Sequence, residues 1–359
     1  LINFIIFSKI FIFLLYIEYN KQKMDQNHHH IQNDELINET YQVIKQIGCG
    51  AFSKVYKVIN LKNNKYYALK QLKKEKKYVK YGLIELEILK DIQDEAKENY
   101  CCNLKLNFDY QGHICMIFNL YGINLYNYLI SRKFKGLSLR KIKYISNQLL
   151  VGLDFLKKKG IIHCDLKPEN IVFEKNTYDL KIIDFGSSSY QNQKIYTYIQ
   201  SRYYRAPEVV LGYNNTTAMD MWSFGCIIYE LFTGKPLFKA HHCSELIVLI
   251  TELLGIPDNY ILTNSIMTNE HFIKYKSIIP FKKDSYSPIN YLCYNKNIRI
   301  PNSITIQNKI TSNHTKLNHD LKNLIDIINK CIVWDPEIRL IPYDALKHQF
   351  FNTSEDKSE

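Results

Sequence analysis

Residues 161–186 read IIHCDLKPENIVFEKNTYDLKIIDFG. The loop His163-Cys164-Asp165-Leu166-Lys167-Pro168-Glu169-Asn170 carries a carboxylate, an amide and an ammonium within six positions. Moving a phosphoryl group to a hydroxyl calls for a carboxylate to orient the hydroxyl and take its proton, and for oxygen ligands on a metal. Asp165 and Asn170 supply those, and Lys167 can offset charge on the group in transfer. Fourteen positions beyond Asn170, Asp184-Phe185-Gly186 follows the apolar strand expected over 180–183. A carboxylate at a strand end before a glycine suits Mg²⁺, which favours few carboxylates plus phosphate oxygens. Taken singly, each match is explained equally well by an ordinary loop.

Upstream, Gly48-Cys49-Gly50-Ala51-Phe52-Ser53-Lys54-Val55 forms the turn of a hairpin predicted over 41–47 and 54–60. Glycines let backbone N–H groups approach phosphate oxygens closely. A dinucleotide-binding loop would open a helix, whereas here a strand follows. The next strand, Tyr66 to Leu72, carries Lys70, a point charge able to reach phosphates. A Lys-rich loop and a helix over Leu83–Ile92 come next, offering Glu85 or Glu87 as its acidic partner. Residues 114–120 read as a buried strand. Apolar residues then recur at helical spacing over 138–158, 217–233, 244–254 and 318–333. Strands first and helices later predict an α+β protein with a small sheet-rich part and a larger helical part. Downstream, Ala206-Pro207-Glu208 offers a carboxylate that Arg339, in Trp334-Asp335-Pro336-Glu337-Ile338-Arg339, can lock.

The chain has 359 residues, 46% hydrophobic and 23% charged, which excludes wholesale disorder, collagen and coiled coil. Its net charge of +12 makes phosphorylated ligands or acidic surfaces conceivable partners. The lone run Leu72-Lys73-Lys74-Glu75-Lys76-Lys77 lacks the interleaved aromatics of a nucleic-acid-binding surface, so no specific nucleic acid is expected. Nine scattered cysteines without a C-x-x-C pair read as reduced thiols of a cytoplasmic or nuclear protein. Residues 1–20, LINFIIFSKIFIFLLYIEYN, are apolar but broken by Asn3, Ser8 and Lys9, and the first Met is Met24. Residues 1–23 are expected to be translated upstream sequence; a membrane anchor or a packed amphipathic extension are the alternatives. Residues 24–40 are polar and expected to be disordered.

The order of glycine loop, Lys, Glu, H-x-D-x-K-x-x-N, DFG and APE, with its spacings, resembles that of a eukaryotic protein kinase from about 41 to 351. More finely, IIHCDLKPENI, KIIDFGSSSY and YTYIQSRYYRAPEVVLG are similar to the dual-specificity tyrosine-phosphorylation-regulated kinases, in the group that includes cyclin-dependent and mitogen-activated kinases. Trp222 in Asp220-Met221-Trp222-Ser223 and the ELLGIP run at 252–257 agree with that group. The resemblance implies a bilobal fold: a β-rich N-lobe over about 41–120, a helical C-lobe over about 121–351 with an irregular insert at about 255–317, and a tail at 352–359. It implies transfer of phosphate from ATP with Mg²⁺ to Ser/Thr of protein substrates. Ile47, Gly48, Gly50, Val55, Ala68, Phe118, Asn119 and Tyr121 would line the ATP site. Lys70 would pair with Glu85, Asp165 would be the base, Asn170 and Asp184 would hold the metal, and Asp220 would brace the loop. Tyr198 would be phosphorylated by the protein itself and read by Arg202 and Arg205. Arg205 would also shape a pocket for Pro after the target residue, and Glu169 would favour an upstream Arg.

Some positions depart from the pattern. Ser53 takes the third glycine's place, Cys164 the Arg of H-R-D, and Asn119 a hinge acid. Residues 24–40 lack the acidic box that the family carries ahead of the kinase domain. The rival reading, a catalytically dead scaffold, predicts loss of Lys70, Asp165 or Asp184; all three are present.

Overall fold

The computed structural model describes residues 31–50, 52–175, 177–191, 193, 199–267, 292–294, 297–311 and 317–352. The chain divides into two compact units, one of residues 1–93 with 103–120 and the other of residues 94–102 with 121–359.

The first unit is built on an antiparallel sheet of β1 (Leu36–Ile37), β2 (Tyr41–Cys49), β3 (Ser53–Asn60), β4 (Lys65–Leu72), β5 (Leu104–Tyr110) and β6 (His113–Asn119), with α1 (Lys76–Asp91) between β4 and β5. Strand order is β1-β2-β3-β4-β6-β5. Side chains alternate across a strand, so register decides which residues share a face. Val43, Tyr56, Val58, Leu69, Cys115 and Ile117 gather on one face into a core cluster with Ile31, Ile37 and Tyr41. Lys70 belongs to the other face, opposite Val55 on β3 and Met116 on β6, with Ala68 opposite Phe118. Helix α1 packs on β4 at Gly82, where a Cβ would lie 2.1 Å from Leu72 Cδ1. A larger residue there would force the Leu72 side chain to move or the helix to shift.

Three expectations are corrected here. Residues 31–40 are not disordered: β1 pairs with β2, Ile31 and Ile37 are buried, and Tyr110 donates to Glu35 Oε1 at 2.8 Å. The apolar side chains Ile31 and Ile37 anchor this stretch. Residues 1–30 lie outside the described residues. Helix α1 starts at Lys76 rather than Leu83, because buried Tyr78 extends its apolar side and packs on Phe52, ring centroids 5.3 Å apart. Strand β5 was not foreseen at all.

The second unit is mainly helical: α2 (Leu125–Ser131), α3 (Leu139–Lys158), α4 (Pro207–Leu211), α5 (Ala218–Thr233), α6 (Cys243–Leu254), α7 (Asn259–Asn264), α8 (Ile306–Thr311), α9 (His319–Cys331) and α10 (Pro342–Ala345). Helix α5 is buried from Met219 to Leu231 without a solvent face, the mark of a helix at the centre of a core. It packs against α3 and α9, and its Trp222 stacks on Phe238, 5.5 Å between centroids. Gly234 ends α5 at φ 73°, and a Cβ there would stand 1.8 Å from Phe134 O. Short ladders tie down the loops: β7 (Ile161–Ile162) with β10 (Ser189–Tyr190), and β8 (Ile171–Phe173) with β9 (Leu180–Ile182). The insert expected to be irregular contains α7, α8 and a hairpin of β11 (Leu292–Tyr294) and β12 (Asn297–Arg299). No disulfide joins Cys49, Cys101, Cys102, Cys115, Cys164, Cys226, Cys243 and Cys331, and among the described residues no helix is long and apolar enough to cross a membrane.

Candidate active site

In the first unit the glycine turn is a tight hairpin end. Gly48 pairs with Val55, Gly50 N–H donates to Ser53 O at 2.8 Å, and Ile47 stands half exposed beside them. Ala51, at the tip, lies outside the described residues. Lys70 Nζ meets Glu85 Oε1 at 2.6 Å, both residues buried, while Glu87 is exposed. Of the two acids open from sequence, Glu85 is therefore the partner. Val55, Lys70, Ala68 and Phe118 share one sheet face, half-buried except for Lys70. Asn119 closes β6 on the neighbouring position.

In the second unit the ladders on either side of 163–170 hold that loop taut. Asp220, on α5, accepts from His163 N at 2.7 Å through Oδ2 and from Cys164 N at 3.1 Å through Oδ1. Burial pushes the Asp220 carboxyl up to about 6, against His163 and the two N–H bonds, which pull it down. Cys164 sits at φ 62°, so the chain reverses sharply just before Asp165. His163 Nδ1 accepts from Asp165 N at 3.3 Å, leaving Nε2 to donate to Ile183 O at 3.1 Å. The His163 ring packs its edge on the buried Phe185 at 5.2 Å, joining the loop to Asp184-Phe185-Gly186.

The Asp165 carboxylate is surrounded by donors. Lys167 Nζ reaches Oδ2 at 2.6 Å; Ser201 donates to Oδ1 through N at 2.9 Å and Oγ at 2.7 Å. Asn170 Nδ2 donates to Asp165 O at 2.9 Å, which turns its amide oxygen away as a free acceptor. Asp184 is exposed, and Gly186 N points at its Oδ1 from 3.4 Å. Asn170 and Asp184 thus present hard oxygen donors of the kind Mg²⁺ takes alongside phosphate oxygens. No group of three or more His, Cys, Asp or Glu among the described residues could hold a metal alone. Tyr121 opens this unit half-buried, followed by Gly122, whose N donates to Phe173 O at 2.7 Å.

Tyr198 lies outside the described residues. Beyond it, Arg202 begins a 3₁₀ turn, Arg202–Tyr204. Arg205 is buried and donates through Nε to Ile199 O at 2.8 Å and through Nη2 to Gln200 O at 2.7 Å. Gln200 is left-handed, φ 62°. Further on, Arg339 forks onto Glu208, Nη1 to Oε1 at 2.5 Å and Nη2 to Oε2 at 2.9 Å, with both side chains fully buried. It also donates to Ala218 O and Val333 O and lies 5.3 Å from the Trp222 ring centroid.

Sequence reading missed Ser201, because a serine beside a motif carries no signal of its own. It missed Glu230 as well, hidden in the apolar run of α5. Glu230 is 3% exposed, accepts from Tyr204 OH at 2.6 Å, and is pushed up to about 7 by burial, with Glu169 adding to the rise. Glu169 Oε2 is itself buried with no hydrogen-bond partner.

These sites fit comparison with known proteins. The family described as "Protein kinase domain" matches residues 41–351, so the chain belongs to it. Within that family it is similar to human dual specificity tyrosine-phosphorylation-regulated kinase 4, 38% identical over 318 residues, covering 88% of this chain and 58% of that protein. It is likewise similar to serine/threonine-protein kinase ppk5 of Schizosaccharomyces pombe, 36% identical over 323 residues (89% of this chain, 36% of that protein). A third relative, dual specificity tyrosine-phosphorylation-regulated kinase mbk-2 of Caenorhabditis elegans, is 36% identical over 318 residues (86% and 38%). The chain therefore spans between about a third and three-fifths of the length of these relatives.

Proposed function

We propose that this chain is a protein kinase that transfers the γ-phosphoryl group of Mg·ATP to serine and threonine hydroxyls of proteins. Lys70, held by Glu85, orients the α- and β-phosphates, and the face of Val55, Ala68 and Phe118 takes the adenine. Asn170 and Asp184 hold Mg²⁺, which neutralises charge on the phosphates when bound. Asp165 orients the acceptor hydroxyl and takes its proton, a role worth about 10²–10⁴ in rate. Lys167, 2.6 Å from that carboxylate, offsets charge on the group in transfer. What supports this most is the orientation of Asn170. Its nitrogen is used on Asp165 O, so its oxygen is the atom turned toward a hard cation, which the exposed carboxylate of Asp184 would hold with it.

The substrate preference follows from two further groups. Arg205 occupies the carbonyls of Ile199 and Gln200, so a residue after the target that brings an N–H finds no acceptor there. Leaving a donor unpaired costs about 1–3 kcal/mol, and Pro has none to lose. Glu169 and Glu230 form an acidic pair suited to an upstream arginine. Autophosphorylation at Tyr198 is part of the same proposal. The scaffold reading would require Lys70, Asp165 or Asp184 to be missing. Incubation with Mg·ATP and a Ser-containing basic peptide tests the reading: transfer by the wild type and none by Asp184→Ala supports it. No transfer by the folded wild type overturns it.

A further inference from the structure

The geometry points to Cys243 as a positioning residue that sets the preference for proline after the phosphorylated residue, an inference that rests on the kinase reading above. Arg205 does more than hold two carbonyls: its Nη1 donates to Cys243 Sγ at 3.1 Å. The guanidinium is a rigid planar fork, so fixing Nη1 fixes the direction in which Nε and Nη2 point. Those two groups hold Ile199 O and Gln200 O and so keep Gln200 in its left-handed conformation, which a residue with a side chain rarely adopts unaided.

The thiol is well placed to act as that stop. Cys243 is the first residue of α6, and the start of this helix is held by two bonds to Glu245. Glu245 N donates to His242 Nδ1 at 3.3 Å, and Glu245 Oε2 accepts from His241 N at 2.6 Å. The pattern is close to a capping box with His242 as the cap, except that the return bond goes to His241, the residue before it. On the other side, the Gln200 side chain is pinned by bonds to Met219 O at 3.1 Å, Ser223 Oγ at 3.0 Å and Ala206 N at 2.8 Å. Two fixed walls therefore bracket Arg205, and Cys243 is the contact from the α6 side. A thiol is a weak acceptor. The lock it forms is correspondingly adjustable, and changes at this sulfur translate into substrate selectivity rather than into loss of transfer.

The test compares kcat/KM for two peptides that differ only in Pro or Ala after the target serine. Cys243→Val removes the acceptor at similar volume, and Cys243→Ser keeps an acceptor. We expect the Pro/Ala ratio to fall about fivefold in Cys243→Val and to be retained in Cys243→Ser, with the Ala peptide phosphorylated no more slowly than by the wild type. Cys243→Ala serves in place of the valine variant if that one melts markedly below the wild type. An unchanged ratio in the folded acceptor-free variant overturns the inference, as does equal loss of rate on both peptides. Transfer by the wild type without discrimination between Pro and Ala also overturns it while leaving the kinase reading intact. Absence of transfer on any peptide removes both.

Discussion

Replacing Asp220 by Asn separates what this buried carboxylate does for the catalytic loop from what it does to stability. Both oxygens accept a backbone N–H, one from His163 and one from Cys164, so the arrangement needs two acceptors and no proton. Asparagine offers one acceptor and turns an NH₂ group on the other N–H. The loop must shift to relieve that contact, and a displacement near 1 Å at a catalytic carboxylate costs about 10²-fold in rate. Stability moves differently. Burial raises the Asp220 carboxyl from 3.8 to about 6, so the folded state favours the protonated form. The sign follows: the group's contribution is fully present below the unfolded value and is lost as pH rises through 6. Carrying the charge at pH 7 thus costs about 3 kcal/mol relative to acid conditions, of which about 1 kcal/mol develops between pH 5 and 8. Asparagine does not titrate. The stability of Asp220→Asn relative to wild type should therefore rise by about 1 kcal/mol from pH 5 to pH 8, while kcat falls about 10²-fold at pH 8, where the wild-type carboxylate carries no proton. Urea denaturation read by fluorescence suits this, because both tryptophans, Trp222 and Trp334, lie in the helical unit that contains Asp220. A stability difference independent of pH, or an Asn variant with wild-type kcat, would refute the reasoning.

Two other outcomes are expected. Arg339→Ala leaves Glu208 charged and fully buried without its fork, and should cost about 3–5 kcal/mol in urea denaturation; a loss under about 1 kcal/mol would mean that the pair is not stabilising the helical unit. Glu230 gains its charge as pH rises through about 7, so KM for a peptide with an upstream Arg should fall across pH 6–8. Glu230→Gln should abolish that pH dependence, and the same dependence for a peptide with Leu in that place would contradict the assignment.

The candidate site residues could be named from sequence because their motifs occur in the order and at the spacings of the kinase family that the chain resembles. The structure adds the donors around Asp165, from Lys167, Ser201 and Asn170, and the short ladders on either side of the loop. The choice between Glu85 and Glu87 was not decidable from residue types; the family resemblance pointed to Glu85, and the phase of α1 buries it and exposes Glu87. Strand β5 escaped notice because LKLNFDY is an edge strand, exposed or half-buried after Leu104, with weak apolar alternation. Residues 31–40 read as disordered because two buried isoleucines in a polar tract give no periodic signal. Ser201, Glu230 and Cys243 matter through tertiary contacts with residues that are distant in the chain or on other elements. No local pattern could have announced them.

The proposed division of labour gives Asp165 the proton of the hydroxyl and Asn170 and Asp184 the metal of a bound nucleotide. It is tested most directly by the rate of γ-phosphoryl transfer from Mg·ATP to a serine peptide by wild type and Asp165→Asn, measured beside the affinity of each for Mg·ATP. The expected result is transfer by the wild type, a loss of about 10²–10⁴-fold in Asp165→Asn, and nucleotide affinity little changed. Transfer by Asp165→Asn at the wild-type rate would contradict it.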